Sequence, residues 1–223
     1  MTLKAALDGF RAEFLTKVPA DIAATMQQAT LQLAQDYAAK PLLQVGDRAP
    51  DFALPNALGK PIKLSDRVAQ GYVVLTFYRG GWCPYCNLAL RAYQQLLPQI
   101  QAMGASLMAI SPQTPERSLT TVENNQLSFD VLSGRGSAIA QAYNIAYTLP
   151  DKLKEIYTQF DHALPDMNGS PDWQLPIPAT FVIAPTGKIL LAHVDADDHN
   201  RLEPEAALAI ITRAQAMNQG VQV

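Results

Sequence analysis

Hydrophobic residues follow two different rhythms along this chain. In residues 1–40 the apolar positions recur at helical spacing, first at Leu3, Leu7, Phe10 and Phe14 and then at Ile22, Met26, Ala29, Leu33 and Tyr37. Pro19 should divide this region into two helices, because proline suits the first turn of a helix and not its interior. The pattern therefore predicts an N-terminal helical extension, residues 1–40, ahead of a domain that covers residues 41–223.

From residue 72 onward, short apolar runs alternate with longer amphipathic segments. Apolar runs rich in β-branched residues predict buried strands at 72–78, 105–111 and 128–133. The segments that follow predict helices at 84–104, 114–127 and 136–145, with a last helix at 203–217. Residues 179–185 and 188–195 flank Thr186 and Gly187, which is typical of a hairpin. This order predicts an α/β fold with a mixed central sheet flanked by helices.

Two segments differ from this alternation. Residues 40–66 are rich in proline and glycine and predict a linker that leads into short strands or turns. Residues 151–178 are polar, aromatic and proline-rich, and we expect an insertion across the surface that carries His162 and Trp173 and could cover a site. The apolar faces of the N-terminal helices must also be buried. We expect them to pack on the chain's own core, with a twofold homodimer contact as a second use.

Composition and charge narrow the classes of function. Hydrophobic residues make up 48% of the 223 residues, charged residues 17%, and the net charge is -3. Such a chain can build a sizeable core, and no basic stripe favours a nucleic-acid partner. No apolar run is long enough to span a membrane. Asp8, Arg11 and Glu13 lie where a signal peptide needs an apolar stretch, so we expect a cytoplasmic protein without a membrane partner.

Cys83 and Cys86 are the two cysteines of the chain, and three kinds of role are open to them: a redox pair, half of a metal site, or small core residues. A zinc site needs about four ligands. The histidines do not form a ligand pair at helical spacing; they are His162, His193 and His199. Residues 195–199, with the sequence DADDH, could hold a divalent ion, but a solvated loop is the expectation. We therefore predict no metal.

The position of the cysteines favours redox chemistry. They follow a predicted strand, and Pro84 suits the first position of the next helix. The Cys83 sulfur would face unpaired backbone N–H groups and the positive end of the helix dipole, both of which stabilise a thiolate. Cys83 is therefore the expected nucleophile with the lower pKa. Cys86, one turn further on, is expected to close a disulfide with it.

Several motifs resemble known families. The stretch FYRGGWCPYC (77–86) resembles the active site of the thioredoxin superfamily, and PATFVIAPTGKIL (178–190) resembles its later segment, which implies that Pro178 is a cis-proline facing the disulfide. Residues 45–66 and 104–145 are similar to the peroxiredoxin-like AhpC/TSA branch. The likeness covers roughly residues 44–215 and implies a thioredoxin-like fold without a cofactor. The tetrapeptide CPYC is that of glutaredoxins, which leaves glutathione open as a reductant.

The chain also departs from these families. Where a typical peroxiredoxin has a threonine before its reactive cysteine, this chain has Gly80, and the late arginine of that family is replaced by the stretch around Pro178. Arg79 or Arg91 could substitute, and Arg135 is a further candidate. Residues 73–77 also lack the buried carboxylate of thioredoxins. Trp82 and Tyr85, which flank the sulfurs, would either form an aromatic lip for a substrate or pack on the inserted segment.

The resemblance implies an antioxidant, thiol-dependent peroxidase that reduces hydrogen peroxide or organic hydroperoxides through a Cys83–Cys86 dithiol/disulfide cycle. A thioredoxin- or glutathione-type reductant would restore the pair. Two alternatives stay open at this point. The first is a protein disulfide reductase without strong peroxidase activity, and the second is a redox-sensing or partner-binding module.

Overall fold

The computed structural model describes residues 1–220, and the side chains of residues 1–218. The helices are α1 (Leu3–Lys17), α2 (Ala20–Ala38), α3 (Leu64–Val68), α4 (Pro84–Ala102), α5 (Pro115–Asn125), α6 (Ala138–Ala142), α7 (Asp151–Gln159), α8 (Leu164–Asn168) and α9 (Pro204–Gly220). The strands are β1 (Ala53–Pro55), β2 (Pro61–Lys63), β3 (Val73–Phe77), β4 (Ser106–Ser111), β5 (Asp130–Ser133), β6 (Ala146–Thr148), β7 (Gln174–Pro176), β8 (Ala179–Ile183) and β9 (Ile189–Val194). A 3₁₀ turn, Arg135–Ser137, precedes α6.

Five strands form the central sheet in the order β5–β4–β3–β8–β9. The β3–β4 and β4–β5 pairs are parallel, whereas the β3–β8 and β8–β9 pairs are antiparallel. This mixed sheet confirms the predicted α/β fold and each of its predicted strands. The short β1–β2 pair confirms that residues 40–66 lead into short strands.

The sheet buries apolar side chains on both faces, as the continuous apolar runs predicted. Along β3, Val73, Leu75 and Phe77 belong to the core cluster on one face, whereas Val74 belongs to the cluster on the other face. The second cluster also contains buried residues of α4 and α9, including Tyr93 and Ile211. The two-residue alternation of a strand thus divides the core into two layers.

The N-terminal helices pack on the chain's own core, as predicted. Leu3 and Leu7 of α1 are buried in the cluster that contains α4, whereas Tyr37 of α2 is buried on the opposite side of the sheet. The two Glu203 carboxylate oxygens accept hydrogen bonds from the backbone N–H groups of Leu3 and Lys4, at 3.0 and 2.7 Å, which attaches the start of α1 to the region before α9. The helices α1 and α2 thus share the core clusters with the rest of the chain. The domain boundary near residue 40 and the dimer contact both stay predictions.

The segment 151–178 is more ordered than its composition indicated. It contains α7, α8 and β7, and β7 pairs with β6. The helix α7 forms because its apolar residues recur at helical spacing. Leu153, Ile156 and Tyr157 lie on one face of α7 and are buried. None of the helices within residues 1–220 has both the length and the apolarity needed to cross a membrane.

Candidate active site

The turn between β3 and α4 carries both cysteines. Cys83 is the residue immediately before α4, and the exposed Pro84 is its first residue, as the sequence predicted. Glycine is required just before them, because a Cβ on Gly80 would collide with the indole ring of Trp82. This packing explains why a glycine occupies the position of the peroxiredoxin threonine. Both thiols are free and fully buried.

Arg79 is the charged group beside the first cysteine. Its Nη2 atom lies 3.3 Å from Cys83 Sγ, and its Nη1 atom donates to the Tyr157 hydroxyl at 3.1 Å. The guanidinium also forms an ion pair with Asp198, and both side chains are only about a tenth exposed, at 10% and 12%. A buried guanidinium of this kind is held by its partners and directs donors at the sulfur. Arg79, one of the predicted substitutes, therefore belongs to the site.

Arg201 takes the corresponding position beside the second cysteine. Its Nη2 atom lies 3.6 Å from Cys86 Sγ, and its Nε atom donates to the Asp198 carbonyl at 2.7 Å. Neither Asp198 nor Arg201 was identified from the sequence, and the expectation of a solvated loop at 195–199 is wrong for Asp198, which is 9% exposed. The strand register explains why Asp198 and Arg201 lie beside the cysteines. Val194 at the end of β9 pairs with Ala179, and Ala179 pairs with Phe77 at the end of β3. The loop after β9 thus emerges beside the β3–α4 turn.

These groups set the pKa values of the two thiols. Burial and the hydrogen bond donated to Cys86 raise the pKa of Cys83 well above its ordinary value, although Arg79 opposes them. At Cys86, burial is outweighed by the hydrogen bond from Cys83 and by the charges of Arg201 and Arg79, which hold its pKa well below the ordinary value. The sequence predicted the lower pKa at Cys83, and the structure reverses this order because Cys86 accepts the S–H···S hydrogen bond and faces Arg201. The two opposite shifts favour a reduced pair with one proton and one negative charge.

The charges of this cluster balance. Arg79 and Arg201 contribute two positive charges, and Asp198 and one thiolate contribute two negative charges. Loss of the thiolate charge, by protonation or by disulfide formation, leaves one buried or half-buried positive charge in excess. The arrangement therefore favours the reduced pair with a single thiolate, which is the reactive form of cysteine.

Aromatic residues cover the turn. The Trp82 ring lies 5.4 Å from the Tyr157 ring and 5.3 Å from the His162 ring, both in the inserted segment, while the Arg79 guanidinium lies 5.5 Å from the Trp82 ring. The insertion thus packs on the active-site turn. Tyr85 is buried and contacts Phe10 of α1 at 5.0 Å between ring centroids. Trp82 and Tyr85 therefore both pack against neighbouring segments of the chain.

Pro178 lies beside the site, but its isomer differs from the expectation. It lines a small cavity of about 10 Å³ together with His193 and Arg201, which places it near the second guanidinium. The Ile177–Pro178 peptide bond is trans, so the cis-proline implied by the resemblance is wrong for this structure. The Ile177 N–H donates to the Ile145 carbonyl at 2.7 Å, which positions the residue before the proline between β7 and β8. The trans form is the ordinary one for an X–Pro bond, favoured by about 0.5–1 kcal/mol.

The other arginine candidates do not contact the sulfurs. Arg91 is exposed and donates to the Asn125 side chain at 2.7 Å, and Asn125 in turn donates to Asn87, which donates to the Gly81 carbonyl. Arg91 therefore reaches the turn only through two asparagines. Arg135 donates to the Gly169 carbonyl at 2.7 Å and is exposed.

Asp197, Asp198 and His199 lie together, with possible ligand atoms within 4.8 Å of one another. Asp198 already pairs with Arg79, and the His199 Nδ1 atom lies 2.5 Å from an Asp197 carboxylate oxygen. The hydrogen bond from His199 lowers the pKa of Asp197 to about 2. Because protein partners occupy these donors, the cluster supports no metal proposal.

A mixed sheet with a Cys-x-x-Cys pair at the start of the helix that follows its central strand defines a thioredoxin-like dithiol protein. The chain belongs to the AhpC/TSA family, whose pattern matches residues 45–192. This match confirms the resemblance for most of the region predicted from the sequence.

Curated relatives include both peroxiredoxins and disulfide oxidoreductases. A Buchnera aphidicola (subsp. Schizaphis graminum, strain Sg) protein, provisionally named peroxiredoxin bcp, is 31% identical over 103 residues, which cover 46% of this chain and 65% of the relative. The thiol-disulfide oxidoreductase ResA of Bacillus cereus (strain ZK / E33L) is 29% identical over 110 residues, 49% of this chain and 62% of the relative. The chain thus spans slightly less than two thirds of each.

Solved structures agree on the fold. The Mycobacterium tuberculosis peroxidoxin BcpB superposes with a TM-score of 0.61 at 23% identity, covering 77% of this chain and 97% of that chain. A yeast mitochondrial 1-Cys peroxiredoxin also gives a TM-score of 0.61, at 17% identity, covering 80% of this chain and 79% of that chain. At this identity the likeness establishes the thioredoxin-like fold.

Proposed function

We propose that the protein is a thiol-dependent peroxidase that works through a Cys83–Cys86 dithiol/disulfide cycle. The observation that carries the proposal is the pair of guanidinium contacts, with Arg79 at 3.3 Å from Cys83 Sγ and Arg201 at 3.6 Å from Cys86 Sγ. Arg79 takes the role of the missing family arginine, since its donors can stabilise the charge that develops on a peroxide oxygen. Membership of the AhpC/TSA family supports the same reaction class.

In the first step Cys83 attacks as a thiolate. Transfer of the Cys83 proton to Cys86 leaves the negative charge on Cys83, beside the Arg79 guanidinium, when a peroxide arrives. Its sulfur forms a bond to the outer oxygen, the O–O bond breaks, and the leaving oxygen takes a proton from solvent as water or alcohol. Cys83 becomes a sulfenic acid.

In the second step Cys86 resolves the sulfenic acid. Its sulfur attacks Cys83, the S–O bond breaks, the hydroxyl leaves as water with the Cys86 proton, and a disulfide forms. A dithiol donor of the thioredoxin type, or two glutathione molecules, then reduces the disulfide and is oxidised in turn. A reducing cytoplasmic setting, which supplies such donors, completes the proposal.

Stopped-flow mixing of the reduced protein with hydrogen peroxide tests the proposal. We expect rapid consumption of one equivalent of peroxide together with formation of an intramolecular Cys83–Cys86 disulfide, detected by mass spectrometry. The matched control is a variant with both cysteines changed to serine. Consumption no faster than that of the control would contradict the peroxidase assignment.

A protein disulfide reductase is the second candidate, and one specific observation favours it. Gly80 stands where peroxiredoxins place a hydroxyl, so one of their peroxide-binding groups is missing from the turn. A relative named thiol-disulfide oxidoreductase agrees with this reading. Slow peroxide consumption with rapid reduction of insulin disulfides would support the reductase. Failure of both reactions would favour the redox-sensing module.

A further inference from the structure

Two consecutive glycines, Gly80 and Gly81, separate the Arg79 guanidinium from the attacking cysteine in the sequence. Glycine has more backbone conformations open to it than any other residue, so two in a row leave the turn little stiffness of its own. The Arg79 Nη2 atom nevertheless lies 3.3 Å from Cys83 Sγ, and this contact depends on the path of the chain between the two residues. Groups outside the turn must therefore hold that path.

The second of these glycines is required by its packing against α5. A Cβ on Gly81 would lie 2.3 Å from the Thr121 Oγ1 atom, which is too close for a real contact. Thr121 is buried, and its hydroxyl lies 3.0 Å from the Arg117 carbonyl, so its branched side chain is not free to turn away. The turn thus cannot gain stiffness from a larger residue at this position.

The side chains of Gln113 and Asn87 hold Gly81 by both of its backbone polar groups. The Gln113 Oε1 atom accepts a hydrogen bond from the Gly81 N–H at 2.8 Å, and the Asn87 Nδ2 atom donates to the Gly81 carbonyl at 2.8 Å. Gln113 lies between β4 and α5 and is 3% exposed, whereas Asn87 lies on α4 directly after Cys86. Two different elements of the fold therefore fix one residue of the active-site turn.

These two amides are themselves held by α5. The Thr121 hydroxyl lies 3.4 Å from Gln113 Oε1, and the Asn125 Nδ2 atom donates to Asn87 Oδ1 at 3.1 Å. Asn125 Nδ2 also donates to the Thr121 carbonyl at 3.0 Å, and Asn125 is 7% exposed. A buried network of this kind, in which the members satisfy one another, favours a single arrangement of its side chains. The helix α5 thus orients both amides towards Gly81.

We propose that Gln113 is a positioning residue of the dithiol site, and that it acts with Asn87 through the Gly81 backbone to keep Cys83 Sγ beside the Arg79 guanidinium. Its hydrogen bond is to the Gly81 N–H, two residues before the attacking cysteine, and not to the sulfur. This proposal rests on the proposed peroxidase function, in which the Cys83 thiolate attacks.

A titration of Cys83 as the sole thiol tests the proposal. In a Cys86→Ala background, burial raises the pKa of Cys83 and the Arg79 charge lowers it. Gln113→Met keeps a side chain of similar length but removes the acceptor, so the turn can move away from the guanidinium. We expect the ultraviolet thiolate titration to give a pKa about one unit higher than in the background protein. Alkylation by iodoacetamide at a pH below both values should be about tenfold slower.

Gln94→Met, in the same background, is the matched control. The Gln94 Oε1 atom accepts from the Ser128 N–H at 2.8 Å, which is the same kind of bond at the same distance, but it joins α4 to the segment before β5. This variant should leave the Cys83 pKa unchanged. If Gln113→Met does not fold, Asn87→Leu removes the bond to the Gly81 carbonyl and should give the same rise. An unchanged pKa in the variant that is measured, or an equal rise in Gln94→Met, would overturn the proposal.

The titration needs no peroxide, so the positioning role and the peroxidase function can fail separately. If the wild type consumes hydrogen peroxide no faster than the variant without cysteines, but the Cys83 pKa follows the expected pattern, the proposed function fails and the positioning role stands. If the wild type consumes peroxide rapidly while Gln113→Met and Gln94→Met give the same Cys83 pKa, the positioning role alone is overturned.

Discussion

Two segments meet at the thiols, the active-site turn and the loop 195–201. The role of the turn can be predicted from its own sequence, whereas the role of the loop cannot. The active-site turn, residues 79–86, contains the reactive sulfurs, a helix start and one guanidinium within eight positions. The loop 195–201 contributes a buried carboxylate and a second guanidinium, although it lies more than a hundred residues away in the chain. In the proposed reaction the turn supplies the reacting atoms, whereas the loop balances their charge. We therefore expect the reactivity of the thiols to depend on both segments together.

The largest effect is expected within the turn. Cys83→Ser should abolish turnover, because it removes the attacking sulfur. Cys86→Ser should retain the first oxidation and accumulate a sulfenic acid or a mixed disulfide. Stopped-flow kinetics and mass spectrometry distinguish the two variants. Continued turnover in Cys83→Ser would transfer the nucleophile's role to Cys86.

Alkylation sharpens the same assignment. At neutral pH iodoacetamide is expected to label Cys83 before Cys86, because Cys83 precedes the helix and Arg79 lies 3.3 Å from its sulfur, whereas Cys86 lies one turn inside the helix. Peptide mass spectrometry over a time course gives the order. Predominant labelling of Cys86 would show that attack follows the lower pKa and not the position in the turn.

The next largest effect is expected in the loop. Asp198→Asn leaves Arg79 buried without its carboxylate, and breaking a buried ion pair in this way costs about 3–5 kcal/mol. Urea unfolding of the oxidised protein measures the loss, since no thiolate is then present to pair with Arg79. Asp195→Asn is the control, because it removes a charge from the same loop without touching the ion pair. Equal destabilisation by both variants would mean that Asp198 acts only through the loop backbone.

A smaller effect is expected for the second guanidinium. Arg201→Met removes a charge that stabilises the reduced thiolate pair, so the disulfide should become harder to reduce. A change of about 1.4 kcal/mol corresponds to a reduction potential about 30 mV more negative. Because Arg201 is only partly buried, water screens part of this interaction and the shift should not exceed that size. Equilibration with glutathione measures it, and Arg201→Lys should recover part of the difference.

The smallest effect concerns pH. The lowered pKa of Cys86 contributes stability that is complete above the unfolded value of about 8.5 and is lost as pH falls through the folded value. The raised pKa of Cys83 contributes stability that is complete below about pH 8.5 and is lost at higher pH. The unfolding free energy of the reduced protein, minus that of a variant with both cysteines changed to alanine, should therefore peak near pH 8.5. A difference that does not vary with pH would contradict the assigned shifts.

The sequence identified the parts of the molecule whose signals are local. Apolar runs located β3, β4 and β5, and Pro84 located the start of α4. Arg79 was a candidate because it lies in the same motif as the cysteines. Asp198 and Arg201 could not be found in this way, because their place depends on the β8–β9 register, which brings Val194 to the end of the sheet where β3 also ends.

The other differences between the sequence predictions and the structure also have physical causes. The helix α7 was missed although Leu153, Ile156 and Tyr157 follow helical spacing, because the surrounding prolines and polar residues dominated the composition. For Pro178, the resemblance gave the correct neighbourhood but not the isomer, since a short motif does not determine how β7 enters β8. The N-terminal helices were expected to pack on the core, but which side of the sheet each one covers required the three-dimensional arrangement.

An ultraviolet thiolate titration of the reduced protein tests most directly whether loop 195–201 controls the charge of the thiol pair. We expect the wild type to form one thiolate per molecule well below the ordinary thiol pKa of about 8.5. Arg201→Met should raise that apparent pKa, because the Arg201 charge lowers the pKa of Cys86, and Asp198→Asn should bring down the raised pKa of Cys83, because the Asp198 charge opposes ionisation of that thiol. A wild-type titration at the ordinary value, or no shift in either variant, would contradict the claim.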